Sequence, residues 1–218
     1  MAPTWVSTLE SLSSSHAPQL VTALVIVGVV WLVVPDRRLA VAAFLAQRAI
    51  AFVLPWPAIS DSQAAVSILA WLAVVIILTG AAWRVKRSHS GQAGDPIAPK
   101  PFHLNSPFRA LAASLTLLLA RWLVQTYASR LPPPMIAFTA VWLVAVGVLA
   151  LLLARSGLGV GLGVLTFADG CRTMYGLAQP NLSIWAIWNI GDALVALAAS
   201  HLQRAETIAS QRPLQEPP

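Results

Sequence analysis

Five ionisable residues, Arg48, Arg121, Asp169, Arg172 and Asp192, stand inside stretches of the chain that are otherwise apolar. A charge at membrane depth is costly unless it pairs or lines a wet cavity. Such residues therefore mark either interhelical pairs or a path for ions. Asp169 and Arg172 are three apart and share a helical face, so they can pair. Asp192 is then free to meet Arg48 or Arg121, and Asn189, one turn earlier, adds a polar neighbour. Arginine keeps its proton in proteins, so only Asp169 and Asp192 could carry one. Three arginines against two aspartates leave one positive charge over. That excess calls for an anion: a partner subunit's carboxylate, a lipid phosphate or a bound ion.

The apolar stretches that hold these residues read as membrane spans. Hydrophobic residues make up 57% of the 218, charged residues 10%, and the mean hydropathy is +0.72. The apolar residues fall in blocks long enough to cross a hydrocarbon core of roughly 30 Å. The fold class is therefore all-α: a polytopic bundle with seven spans, expected at 19–34, 39–55, 63–83, 109–128, 134–154, 157–178 and 182–201. Proline-rich or basic turns separate them, among them Pro35-Asp36-Arg37-Arg38, Pro132-Pro133-Pro134 and Arg155-Ser156-Gly157. The chain reads as a single membrane domain, 1–218. A three-helix half (19–83) and a four-helix half (109–201) flank a polar cytoplasmic loop (84–108), and a disordered tail (202–218) follows.

Charge sets the orientation. With seven alternating spans, one side carries Arg130 alone. The other carries Arg37, Arg38, Arg84, Lys86, Arg87, Lys100, Arg109, Arg155, Arg204 and Arg212. Basic residues accumulate on the cytoplasmic side, so the N-terminus is expected outside and the C-terminus in the cytoplasm. Because the basic residues bracket apolar blocks, the net charge of +6 does not point to nucleic acid. The start, Met1 to Trp5, has no basic stretch before a short apolar run, so no cleaved signal peptide is expected.

Counting along each span at a 1.5 Å rise puts Arg48 about 10 Å from the outer end, Arg121 about 11 Å, Asp169 about 13 Å, Arg172 about 9 Å and Asp192 about 15 Å. Four helices thus deliver ionisable groups to one level. Elsewhere the signals are those of packing. Gly157, Gly159, Gly161 and Gly163 form two overlapping G-x-x-x-G spacings, which predict a close helix contact. Trp5, Trp31, Trp56, Trp83, Trp122 and Trp185 fall near span ends and read as interfacial anchors, while Trp142 and Trp188 lie deeper and pack. Residues 4–14 place Trp5, Val6, Leu9 and Leu12 on one face, a short interfacial helix or a frayed terminus.

Several chemistries find no support. The lysines, Lys86 and Lys100, lie in the loop, so no span offers a retinal Schiff base. His16, His89 and His103 sit in loops and His201 ends the last span, so no haem or other cofactor is expected. Cys171 is the single cysteine, which excludes an internal disulfide and a multi-cysteine metal site. Asp169-Gly170 with Arg172 resembles the opening of the aspartate-rich motif of membrane CDP-alcohol phosphotransferases, but only Asp192 follows it. No self-sufficient catalytic site is visible, and no metal site is expected.

The two halves are faintly alike. Val25-Ile26-Val27-Gly28-Val29 matches Val144-Ala145-Val146-Gly147-Val148, and each leads through a basic turn into a span with an ionisable residue. The shared orientation makes this a parallel repeat, a symmetry met in transport proteins. The chain also resembles membrane component E of hydrogenase 4, the K subunit of bacterial complex I and the C subunit of multisubunit sodium/proton antiporters. The residues that carry the resemblance are Arg37-Arg38 before the second span, the run Arg38-Leu39-Ala40 to Ala46-Gln47, and Ala168-Asp169-Gly170 through Gly191-Asp192-Ala193-Leu194. It implies a non-catalytic multi-pass subunit of the bacterial-type cytoplasmic (inner) membrane, part of an oxidoreductase assembly, pairing with antiporter-like subunits and contributing to proton or ion translocation or its scaffold. The K subunit's glutamates in its second and third spans are not matched. Gln47 and Arg48 stand in the second span here, and 63–83 carries no charge, so a relay role passes only to Asp169 and Asp192. A stand-alone small permease, suggested by the repeat, and a structural assembly protein, suggested by the pairs, are the alternatives.

Overall fold

The computed structural model describes residues 15–34, 36–54, 60–89, 106–127, 134–178 and 181–210. The described residues form seven α-helices: α1 (Ala17–Val33), α2 (Arg37–Val53), α3 (Asp61–His89), α4 (Ser106–Thr126), α5 (Pro134–Leu153), α6 (Gly157–Ala178) and α7 (Leu182–Ser210). Four segments are long and apolar enough to cross a membrane: Asp61–Ala82, Pro107–Thr126, Pro134–Leu153 and Leu182–Ala209. Ala17–Val33 is apolar but shorter. The architecture is that of an all-helical bundle compatible with a membrane protein. α2 and α6 are not among these four segments; they carry Gln47 and Arg48, and Asp169 and Arg172.

Local chemistry sets the helix ends. At the head of α3, Ser60 and Gln63 form a reciprocal capping box. The Ser60 N–H donates to Gln63 Oε1 at 3.1 Å, and the Gln63 N–H to Ser60 Oγ at 3.4 Å. Asp36 caps α2 through the Arg38 N–H at 2.9 Å, and Asn181 caps α7 through the Ser183 N–H at 2.9 Å. Arg109 donates to the Leu32 carbonyl at 3.2 Å, placing a cation at the negative end of α1.

The last helix corrects the expected start of the tail. α7 runs through Ser210, well past 201, because residues in this stretch have work inside the bundle. Gln203 is buried, and Glu206 Oε1 accepts from the Gly157 N–H at 2.7 Å, an anion at the head of α6. The expected features at residues 4–14, Trp56, His103 and 211–218 lie outside the described residues.

α5, α6 and α7 pack side by side along their lengths. α3 lies against α7, α4 against α5, and α1 pairs with α2 and also touches α4 and α5. α2 meets α3 and α6 only along short stretches. Glycines set the closest contacts. A Cβ on Gly161 would fall 2.2 Å from Ala199 Cβ on α7, and one on Gly157 2.5 Å from Leu202 Cβ. A Cβ on Gly163 would lie 3.0 Å from Leu151 on α5, whereas Gly159 has only ordinary neighbours. The two overlapping spacings therefore face different partners: Gly157 and Gly161 admit α7, and Gly163 admits α5. In the two similar segments, a Cβ on Gly28 would meet the Trp142 indole of α5 at 3.2 Å before Gln47 Oε1 of α2 at 3.5 Å, whereas one on Gly147 would run into the Phe167 backbone of α6, so the two glycines have different surroundings.

Gly161→Ala is expected to destabilise the chain by about 1–3 kcal/mol through overpacking, whereas Gly159→Ala should leave it unchanged or slightly more stable. Ala199→Gly should recover much of the Gly161→Ala loss. Thermal unfolding in detergent, followed by tryptophan fluorescence, reads all three, and equal losses at 159 and 161 would contradict the contact.

Candidate functional site

Three helices bring the buried charges together: α2 supplies Arg48, α6 Asp169 and Arg172, and α7 Asp192 and Asn189. All four charged side chains are nearly sealed, Arg48 at 5% exposure, Asp169 and Arg172 at 8% and Asp192 at 2%. Arg48 Nη2 lies 3.3 Å from Asp169 Oδ1 and donates to Asp192 Oδ2. Arg172 Nη1 lies 3.6 Å from Asp169 Oδ1, and its Nη2 donates to the same Asp192 Oδ2. Every carboxylate therefore meets both guanidiniums. The two positive and two negative charges of this quartet cancel.

The pairing within α6 follows from the three-residue spacing of Asp169 and Arg172. The contacts to α7 follow from the close approach that Gly157 and Gly161 allow. A Cβ on Gly170, next to Asp169, would lie 2.7 Å from the Val144 backbone N, so α6 is equally tight against α5.

A belt of neutral polar groups extends the quartet on both sides. Arg172 Nη1 donates to Asn189 Oδ1 at 3.5 Å, and Asn189 Nδ2 donates to the Trp185 carbonyl at 2.8 Å. Trp185 Nε1 donates to Ser67 Oγ on α3 at 2.6 Å. On the far side, Gln47, the neighbour of Arg48, accepts from Trp31 Nε1 of α1 at 2.5 Å. The Thr173 hydroxyl donates to the Asp169 carbonyl at 2.8 Å. The belt thus crosses α1, α2, α6, α7 and α3. Gln47 Nε2, Arg48 Nη1, Trp142 Nε1, Arg172 Nε and the Tyr175 hydroxyl have no acceptor among the described residues. Donors so buried are commonly served by ordered water.

The six candidate residues read from the sequence divide five to one in their placement. Arg48, Asp169, Arg172, Asn189 and Asp192 come together, whereas Arg121 is exposed on α4 and stands outside the quartet. Depth along a helix was legible from its rise, but which face of α4 packs was not. The expected surplus of positive charge is consequently absent from the cluster. Trp31 and Trp185 are also corrected. They are buried at 6% and 4% exposure and hydrogen-bonded inside, not interfacial anchors, because Gln47 and Ser67 give their indole N–H groups acceptors. Trp122 is exposed, as an anchor would be, and Trp142 is fully buried. Ser67 was not anticipated; a serine one helix away from a tryptophan leaves no mark in the sequence.

The arrangement offers two titratable carboxylates fixed between permanent cations. It contains no nucleophile–base pair, and no group of three or more metal-ligating side chains occurs among the described residues. No family model, no curated protein and no solved structure matches the chain.

Removing one partner of a buried pair strands the others. Asp192→Asn leaves two guanidiniums with one carboxylate and is expected to cost about 3–5 kcal/mol. Arg48→Met combined with Asp192→Leu should cost clearly less than the sum of the two single changes. A double-mutant cycle on thermal unfolding measures the coupling, and strict additivity would show that the two side chains do not meet.

Proposed function

We propose that the chain is a non-catalytic, seven-span subunit of a complex-I-like or hydrogenase-like assembly in the cytoplasmic membrane, with its N-terminus outside and its C-terminus in the cytoplasm. Its quartet acts as a proton- or ion-responsive element of that assembly. The observation that carries this reading is the sealed meeting of Asp169 and Asp192 with Arg48 and Arg172, drawn from three helices. The resemblance at Arg37-Arg38 and at Asp169-Gly170 through Asp192 supports the choice of assembly, and the ten-to-one distribution of basic residues supports the orientation.

The mechanism follows from charge balance. Arginine does not give up its proton, so a proton can enter only on Asp169 or Asp192. Its arrival leaves the quartet with an uncompensated positive charge in an apolar bundle. The cheapest relief is to move a guanidinium. Arg48 is the candidate, because α2 packs on α1 and touches α6 and α3 only along short stretches. Protonation would thereby loosen α2 from the α6–α7 pair, and deprotonation would fasten it. The unpaired donors around Arg48 and Arg172 favour water at the site, which a proton requires to arrive.

A second reading has its own observation. The quartet is neutral and fully cross-paired, which suits a fixed lock between helices. In that case the chain is a scaffold within the assembly.

The two readings diverge in a flux measurement. In proteoliposomes holding the intact assembly, Asp169→Asn should lower proton or ion movement by about a hundred-fold or more, the scale of a general acid–base contribution, with subunit composition unchanged. Asp169→Glu should retain part of the flux. Unchanged flux in both Asp169→Asn and Asp192→Asn would eliminate the responsive element and leave the lock. Purification of the wild-type chain as a lone, active species would eliminate the assembly.

A further inference from the structure

Arg121 is the charge that the bundle does not absorb. α4 packs through a narrow stripe of small side chains, Ala113, Ala120 and Val124, against α5 and α1. The face turned away from this stripe is bare. Leu111, Leu115, Leu118, Leu119 and Trp122 are between 51% and 63% exposed. Arg121 emerges in the midst of this apolar surface, and no described carboxylate pairs with it. Ser114 and Gln125, also exposed, fall within about 40° of Arg121 around the helix axis at 3.6 residues per turn. Ser114 donates its hydroxyl to the Ala110 carbonyl at 2.9 Å, so it offers a small, satisfied position at which a neighbouring helix can approach closely.

A guanidinium on such a surface needs an anion, either a lipid phosphate or a carboxylate on another protein. Side-chain direction favours the second. Cα–Cβ bonds on a helix lean toward its N-terminus. The nearer end of α4 is the C-terminal one, at Thr126, about 7–8 Å away by helical rise. Arg121 therefore leans away from the closer headgroup layer and toward the middle of the span. The farther layer is about 22 Å off by the same rise. Among the described residues, a second copy of the chain offers no exposed carboxylate in the middle of a span either. Asp169 and Asp192 are buried in the quartet. The exposed acids among the described residues lie elsewhere: Asp36 in a turn, Asp61 at the first residue of α3, and Glu206 bound to the head of α6.

We propose that the Ser114–Arg121–Gln125 face of α4 is the docking edge for a transmembrane helix of a different subunit, which brings an aspartate or glutamate to the level of Arg121. This rests on the reading of the chain as part of a membrane assembly, and it names the face and the chemistry by which the assembly forms. Arg121 selects the partner by charge, the leucines around it supply apolar contact, and Ser114 sets the close approach.

The test is site-specific photo-crosslinking of the full chain in its native membrane. A benzophenone amino acid is placed at Leu118, exposed on α4 about 60° from Arg121, and, as a control, at the exposed Ile187 on α7. The position-118 probe should capture an apolar segment of another protein that contains a carboxylate. Arg121→Glu should reduce that crosslink by about ten-fold or more, since like charges now face each other, while Arg121→Lys retains it. Changing the partner's carboxylate to lysine should restore the crosslink to Arg121→Glu. Unchanged thermal unfolding of Arg121→Glu, or the same loss in Arg121→Leu, shows that the loss is not one of folding. Capture of lipid alone at 118, with a protein partner captured at 187, overturns this inference and leaves the assembly standing. No protein captured at either position, together with a wild-type chain that purifies alone, overturns both.

Discussion

Neutrality inside an apolar medium is the constraint that organises this molecule. Arg48, Asp169, Arg172 and Asp192 come from three helices and are tolerable only together. The tight packing of α6 is in service of that meeting. Gly161 lets α7 approach until Ala199 is in contact, and Asp192 lies two turns from Ala199 along the same helix. Gly147 and Gly170 hold α5 against α6 on the opposite side. A bulkier residue at any of these positions would shift Asp192 or Asp169 relative to the guanidiniums, and charge pairs lose their value quickly with distance. Small residues and charges, which look like unrelated features along the chain, are therefore one design.

The arginine fork is what allows two acids and two bases to close on each other. Arg172 reaches Asp169 and Asn189 with Nη1 and Asp192 with Nη2. A lysine ammonium is a single point and lacks this fixed spread of donors. Arg48 and Arg172 both converge on one oxygen of Asp192, which makes Asp192 the hinge of the network, while Asp169 is held at longer range by both. The two carboxylates are thus unequal in position although they are equal in charge.

The layout of helices was legible because proline, glycine and basic turns interrupt apolar blocks, and all seven elements lie within a few residues of their expected ends except at α3 and α7. The end of α7 is not legible in the sequence, because Arg204 and Glu206 look like a solvated tail. Only the fold shows that Glu206 reaches the Gly157 N–H. The level of the charged groups was legible from helical rise, but their facing was not. Spacing places Asp169 beside Arg172, since both are on one helix. Spacing within α4 alone does not say whether Arg121 turns toward a neighbouring helix or away from the bundle. The tryptophans failed for the same reason: proximity to a span end says where along a helix a ring sits, whereas its acceptor, Gln47 for Trp31 and Ser67 for Trp185, lies on another element.

The separation of Arg121 from the quartet also decides how the surplus charge is to be understood. Had Arg121 been buried with the others, the cluster would have carried a net positive charge and required an anion inside the bundle. With the quartet balanced, internal stability makes no demand on a partner. The demand moves to the surface of α4, the helix whose membrane-length segment is least buried of the four. A bundle whose buried charges balance within, and which carries an unpaired charge at one edge, is suited to being built into something larger without depending on it to fold. On the reading of the chain as an assembly subunit, association and the buried pairs are then energetically separate. A change at Arg121 acts on who binds, and a change at Asp192 acts on how α2, α6 and α7 hold together.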